Sequence, residues 1–262
     1  MDSAGGNRFA DLYKEGKYLT LKNHLYNYLL RKRAIKKCLE QEEPELILEV
    51  GSGISPAVTN FKSIVYSDLS LEAVKILRQT QTSGYYVVAD GMQLPFKSCR
   101  FSHVICSEVL EHLENDLQAI KEMSRTLRPS PGCLIITVPH RKRYFTNDDH
   151  FVKHYRRYEM SEIKNRLKAG GLQPVLVQKV LGPLEKITMS LAVFIFTVIQ
   201  KHKPGKKSAA EGWDFRGMAI LVLVFKWTNL FYKGYAWLDA MLMPRCLATV
   251  ILIKSVSSKK EC

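Results

Sequence analysis

No part of this 262-residue chain reads as a membrane span. Its uncharged apolar run "ITMSLAVFIFTVIQ", 187–200, is 14 residues long, where a spanning helix takes about 18–20. Cysteine is sparse and scattered. Cys38, Cys99, Cys106, Cys133, Cys246 and Cys262 form no C-x-x-C pair and no Cys/His spacing typical of a metal centre. Neither a disulfide framework nor a bound metal is therefore expected, and a reducing cytoplasm is the default compartment. The opening "MDSAGGNRFADLYKEG" has no apolar leader-like segment, and its second residue is Asp2, not glycine, so neither export nor myristoylation is expected. There is no internal repeat and no low-complexity tract.

Positive charge is abundant but unevenly placed. Residues 1–140 carry 17 Lys and Arg against 16 Asp and Glu, whereas residues 141–262 carry 22 against 9. A basic C-terminal half suits a solvated face, an anionic membrane surface or a nucleic acid. With 46% apolar residues, the chain can bury one sizeable core.

Short apolar runs alternate with helical patterns. The runs are "LILEV" 46–50, "SIVYSD" 63–68, "YYVVAD" 85–90, "FSHVICS" 101–107, "CLIITVP" 133–139, "LQPVLVQKV" 172–180 and "LATVILIKS" 247–255. Segments such as "LEAVKILRQT" and "LENDLQAIKEMSRTLR" place apolar residues at i, i+3 and i+4. This alternation predicts an α/β fold with a doubly wound, mostly parallel sheet covered on both faces. The expected organisation is an N-terminal helical extension over 1–43, a core over 44–180, an apolar helical insertion or lid over 181–245, and a last strand with tail over 246–262. The insertion is too long and too apolar for one more crossover. Its stretch 217–244 is broken by Lys226, Lys233 and Asp239 and carries Trp227, Phe231, Tyr232, Tyr235 and Trp237, an aromatic band suited to a membrane interface.

The chemistry gathers where the first three strands end. "LILEVGSGISP" closes an apolar strand with Glu49, then Gly51 and Gly53, which let backbone pass close to a ligand; Ser55-Pro56 suits the start of a crossover helix. The next two strands end in Asp68 and Asp90. One acid after the second strand is expected wherever a ribose is held. A third would repel a dinucleotide's pyrophosphate, and it suits a ligand offering an ammonium, a diol, an exocyclic amine and a sulfonium.

At these residues the chain resembles the class I S-adenosylmethionine-dependent methyltransferases, in particular the quinone-biosynthesis-type (methyltransferase type 11) group, over about residues 44–180. "LEVGSG", "YSDLS", "ADGMQLPF", "FSHVICSEVLEHLEN" and "LRPSPGCLIITVPH" are similar to the group's five motifs in order. The resemblance implies a Rossmann-like, seven-stranded methyltransferase fold and S-adenosyl-L-methionine as cofactor. It implies that Glu49 faces the methionine amino group, directly or through water, and that Gly51 and Gly53 admit the methionine and ribose portions. Asp68 would take the ribose hydroxyls with Leu69 packing nearby. Asp90 would accept from the adenine amine, with Gly91 and Met92 along the ring edge, and Ser107 and Glu108 would line the reactive side. Two features depart from the pattern. Ser55 replaces the third glycine, and only 15 positions separate Gly53 from Asp68, which shortens the first crossover helix by about one turn.

Methyl transfer needs a base only when the acceptor must lose a proton. Candidates are His112, His140 and His154, with His150 beside them; His103, inside a strand, reads as structural. "HYRRYEMSEI" resembles the group's segment over the acceptor side, where Arg156, Arg157 and Tyr158 suit an anionic acceptor or a solvated loop. The leading expectation is a methyltransferase acting on a lipid-like or amphipathic small molecule at an anionic membrane surface. It would be cytoplasmic, with peripheral attachment to the inner membrane face. An RNA methyltransferase and a non-catalytic cofactor-binding membrane scaffold are the alternatives. No RNA-binding module supports the former, and nucleic acid is not an expected partner. A nicotinamide-dependent oxidoreductase is disfavoured by Asp90. Oligomeric state is left open.

Overall fold

The computed structural model describes residues 23–40, 42–81, 83–129, 132–191 and 215–258. Of the apolar run 187–200, only 187–191 fall within them; the basic stretch 201–214, "KHKPGKKSAAEGWD", lies outside.

The described strands are β1 (Ile47–Val50), β2 (Ile64–Asp68), β3 (Tyr85–Val88), β4 (His103–Ser107), β5 (Cys133–Pro139), β6 (Leu172–Leu181) and β7 (Val250–Ser257). They form one sheet in the order β3-β2-β1-β4-β5-β7-β6. The first five run parallel to one another, and β7 runs antiparallel between β5 and β6. The sheet is thus mixed at one edge and parallel elsewhere. All seven residues of β5 are buried, the burial that a continuous apolar run demands in a strand covered on both faces.

Helices α1 (Tyr26–Leu39), α2 (Leu71–Thr80), α3 (Asp116–Thr126), α4 (Asn147–Phe151) and α5 (Met160–Ala169) cover the faces. Local chemistry sets their starts. The Ser70 hydroxyl accepts from Ala73 N at 3.2 Å to cap α2, and Asn115 Oδ1 accepts from Gln118 N at 3.2 Å to cap α3. Each cap satisfies an otherwise orphaned N–H. Apolar positions Ala73, Val74 and Leu77, then Ala119, Ile120 and Met123, face the core. A helix, α6, spans 183–191.

One expectation fails. There is no crossover helix between β1 and β2, because residues 51–63 form turns and extended loop. Side chains replace the helix's own hydrogen bonds. The buried Glu49 carboxylate accepts from Ala57 N at 2.6 Å and Val58 N at 3.1 Å. Tyr66 Oη donates to Val58 O at 3.0 Å, and Tyr28 Oη to Pro56 O at 2.6 Å. Helix α1 fills the space so left, packing Leu30, Ile35 and Cys38 into one core with Ile47, Ala57, Val58 and Ile64. Thirteen residues between strands are too few to build a helix and its two turns, so a helix from before β1 covers that face.

The stretch 217–244 lies largely within one helix, α7 (Phe215–Leu242). Its Ala236 and Ala240 are buried, whereas Trp227, Phe231, Tyr235 and Leu242 are exposed. Helix α7 docks on α1 through small residues and specific contacts. Asn229 Oδ1 accepts from Tyr26 N at 3.2 Å, Tyr26 meets the Tyr232 ring edge-on at 4.7 Å, and the Arg33 guanidinium lies 5.5 Å from the Trp237 ring centre. Among the described residues no helix is long and apolar enough to cross a membrane. Cys99 is disulfide-bonded, a crosslink that the scattered cysteines did not foreshadow; Cys38, Cys106 and Cys133 are buried thiols.

Candidate active site

The carboxyl ends of β1, β2 and β3 are adjacent in the sheet, which brings the predicted cofactor residues to one edge. Gly51 (φ +71°) and Gly53 (φ +55°) both adopt left-handed backbone. Gly51 N donates to Ser67 O at 2.8 Å, drawing the loop over β2, and a Cβ at Gly51 would collide with the Val109 side chain. Asp68 uses both oxygens at this edge: Oδ2 accepts from Gly53 N and Oδ1 from Ser70 N, each at 2.8 Å. Asp90 Oδ1 accepts from Met92 N at 2.8 Å, a turn that presents Gly91 against Val50. Leu69 is exposed, and Met92 packs on the core.

Glu49 stands apart from the other two acids. It is 2% exposed and its carboxylate holds the 57–58 backbone described above. Asp68 and Asp90 remain at the half-buried rim.

Past β4, Ser107 Oγ pairs with Thr137 Oγ1 at 2.9 Å. Glu108 adopts φ +54°, and its Oε2 pairs with Arg31 of α1 at 3.3 Å. Helix α1 therefore reaches over the same edge as the glycine loop. Two depressions lie elsewhere. One, of about 480 Å³, is bordered by Leu30, Arg33, Lys37, Trp237 and Arg245; the other, of about 170 Å³, by His140, Arg141, Lys164 and Cys246.

The candidate histidines separate into two places. His140 is 2% exposed, and its Nδ1 pairs with Tyr158 O at 2.8 Å. Burial lowers its pKa below the ordinary imidazole value, against the opposing effect of that hydrogen bond. His112 and His154 lie together, rings edge-on with centres 4.7 Å apart. His154 Nδ1 pairs with Asp149 Oδ1 at 2.9 Å, and its Nε2 lies 3.8 Å from Glu111 Oε1. Asp149 also accepts from Arg157 Nε at 2.7 Å and Lys186 Nζ at 2.7 Å. His150 packs edge-on against Phe145. His103 pairs with Glu42 inside the fold, Nε2 to Oε2 at 2.5 Å.

Glu111 escaped sequence reasoning. It is fully buried, and neither carboxylate oxygen has a hydrogen-bond partner. Burial first, and the nearby Glu108 second, push its pKa well above the usual carboxylate range. The signal was present in "SEVLEH", where a second acid follows Glu108 by one helical turn.

The reading of Arg156, Arg157 and Tyr158 as an anion grip is corrected by their partners. Arg156 pairs with Asp116 at 3.1 Å and donates to Glu114 O at 2.9 Å. Arg157 is buried on Asp149 and donates to Thr249 O at 3.3 Å. Tyr158 Oη, fully buried, donates to Asp116 Oδ2 at 2.6 Å. These three build the framework under the site.

Comparison with known proteins points the same way. Residues 48–136 match a family model described as "Methyltransferase domain". An uncharacterized protein of Methanocaldococcus jannaschii is 33% identical over 104 residues, 39% of this chain and 44% of that protein. A demethylmenaquinone methyltransferase of Streptomyces griseus is 27% identical over 110 residues, 40% and 48% of the two chains. The chain thus spans about half the length of the curated relatives it matches. Among solved structures, the complex of the Haloferax volcanii Trm112 methyltransferase activator with a methyltransferase contains a chain that superposes with a TM-score of 0.61 at 15% identity. That superposition covers 97% of this chain and 99% of the other, a likeness of fold. Over residues 48–136, about a third of its length, the motif-bearing core of this chain thus matches a methyltransferase-domain family.

Proposed function

We propose that this protein transfers a methyl group from S-adenosyl-L-methionine to a lipid-like or amphipathic small molecule at the inner face of a membrane. The observation that carries the reading is the shared rim of Gly53, Asp68 and the Asp90–Met92 turn at the carboxyl ends of three adjacent strands. The residues there fit the cofactor. Asp68, fixed from behind by Gly53 N–H, presents a carboxylate to ribose hydroxyls. Asp90 commits one oxygen to Met92 N–H and turns that backbone along an adenine edge. Leu69, exposed beside Asp68, offers an apolar face to the base.

S-adenosylmethionine supplies an already activated methyl group on a sulfonium, so the protein's task is alignment and exclusion of water. Ser107 and Glu108 occupy the reactive side, and Arg31 bridges from α1 to Glu108 across the rim. Glu49 holds the loop that shapes this edge, a supporting position for an acid that the family resemblance assigns to the methionine end. The membrane half of the reading rests on α7, whose large apolar side chains face outward, and on the basic C-terminal half. An anionic surface attracts each basic residue near it by about 1 kcal/mol.

The test is incubation with methyl-labelled S-adenosylmethionine and, in parallel, a total lipid extract as vesicles, a pool of small molecules and total RNA. Label in the organic-extractable fraction is expected. Label in RNA would replace the acceptor class, and tight S-adenosylhomocysteine binding without label anywhere would leave a cofactor-binding scaffold.

A further inference from the structure

The buried carboxylate of Glu111 is the least explained group in the described structure. A carboxylate fully removed from water and given no hydrogen bond costs several kcal/mol. It sits in the 3₁₀ turn Leu110–His112 directly after β4, so the fold holds it in place and the cost is not relieved by movement to solvent. One oxygen of a second acid, Glu108 Oε1, is also buried without a hydrogen bond, while its Oε2 pairs with Arg31.

Two imidazoles lie close to Glu111, with Glu108, Arg31 and Arg157 also acting on it electrostatically. One ligand atom each from Glu111, His112 and His154 lie within 4.8 Å of one another. These residues come from two separate segments. Tyr155 N donates to Glu111 O at 2.8 Å, which ties the 154–155 strand of loop to the turn after β4. Asp149 pairs with His154 Nδ1, which aims Nε2 toward Glu111 Oε1 at 3.8 Å. A carboxyl oxygen and an imidazole nitrogen so placed can share a cation, either a proton or a metal ion. The Asp149–His154 pair has the form of the carboxylate–histidine support that orients metal-bound imidazoles. Asp149 is itself anchored by Lys186 Nζ, Arg157 Nε and Thr146 N.

We propose that Glu111, His112 and His154 form a binding site for one divalent transition-metal ion of zinc's class, with Asp149 as positioning residue for His154. Two imidazoles and one carboxylate suit an ion of borderline softness. In a tetrahedral zinc site the ligand atoms stand about 3.4 Å apart, given metal–ligand distances of about 2.0–2.1 Å. Closing from the present separations takes side-chain rotations on the order of 1 Å. Three protein ligands leave a position open, the pattern of a catalytic rather than a structural ion. The turn that carries Glu111 and His112 follows Ser107 and Glu108 directly in the chain. On the methyl-transfer reading, an oxygen of the acceptor would take the ion's open position, and only this last step depends on that reading.

The test uses the full chain without a polyhistidine tag, stripped with chelator and titrated with Zn²⁺ by calorimetry and with Co²⁺ by visible absorption. Expected are saturation at one equivalent and the intense visible bands of low-coordinate, imidazole-bound cobalt. His112→Ala and His154→Ala should each weaken Zn²⁺ binding by more than about tenfold, and Asp149→Asn by about 10–100-fold. His103→Ala should leave it unchanged, although Glu42, His103 and Cys133 form another such group. Absence of saturable binding, a cobalt spectrum identical to the aqua ion, or loss only with His103→Ala overturns the site. The wild-type cobalt spectrum stands even if a variant fails to fold. S-adenosylhomocysteine titration of the stripped protein keeps the cofactor reading separate: binding there with no metal uptake removes the ion alone.

Discussion

Asp68 Oδ2 accepts a hydrogen bond from the backbone N–H of Gly53 at 2.8 Å, so the acid at the end of β2 holds the glycine loop at the end of β1. The same carboxylate takes Ser70 N–H through its other oxygen at the same distance. Asp68→Ala would remove the proposed ribose acceptor and strand two N–H groups at once. Calorimetric titration should show S-adenosylhomocysteine binding weakened by about 1–3 kcal/mol, the scale of lost polar partners. Unchanged affinity would mean that the cofactor lies elsewhere.

Gly51 and Val109 form a second cross-strand dependence. Gly51 has φ +71°, and any Cβ there would run into Val109. Gly51→Ala should cost about 1–2 kcal/mol for the left-handed backbone and about 1–3 kcal/mol for overpacking. The double variant Gly51→Ala/Val109→Ala should recover the packing share but not the backbone share. Chemical denaturation of the two single variants and the double would expose that non-additivity; strictly additive losses would show that the two residues do not meet.

The parallel core was legible because its runs are short, apolar and regularly interrupted, and because acids recur at the ends of the first three. What sequence spacing could not convey was substitution of one element for another. Ser55-Pro56 has the form of a helix start, yet the loop is tied down by Glu49, Tyr28 and Tyr66, three residues distant in the chain. The carboxylate of Glu49 was readable as a strand-end acid, but not its preference for two backbone N–H groups over a ligand. The histidine cluster was hidden for a related reason. His154 is separated from Glu111 and His112 by α3, β5 and α4, and only tertiary folding brings it to them. The Arg156–Tyr158 segment misled because buried acids, Asp116 and Asp149, take up its charge and hydroxyl.

His140 makes stability depend on pH in a definite direction. Its folded pKa is lowered by burial, whereas in the unfolded chain it titrates near about 6.5. As pH falls from that value toward the folded pKa, the unfolded state binds the proton first, so stability declines with falling pH. The contribution is fully present above about pH 6.5. His140→Asn keeps a donor for Tyr158 O and removes the titration. Urea unfolding measured from pH 7.5 down to 5 should give a shallower decline for the variant; an identical slope would show that His140 titrates alike in both states.

Helix α7 reverses the usual arrangement of a surface helix, and the proposed membrane role rests on this reversal. Its small Ala236 and Ala240 face the protein while Leu223, Trp227, Phe231, Tyr235, Leu238 and Leu242 are exposed at helical spacing. Water disfavours such a row, at about 25 cal/mol per Å² of apolar surface, whereas an interface that takes the rings would favour it and the basic residues nearby would meet anionic headgroups. Substituting Trp227, Phe231 and Tyr235 together by alanine leaves the buried face untouched. Co-sedimentation with phosphatidylserine-containing vesicles should then fall at least about tenfold in partition coefficient, since loss of about 1.4 kcal/mol suffices for that factor. Wild-type binding should also weaken as salt rises, because the electrostatic part is screened within a Debye length of about 8 Å at physiological ionic strength. Wild-type chain that stays in the supernatant at low salt, or a triple variant that sediments as the wild type does, would detach α7 from any membrane role.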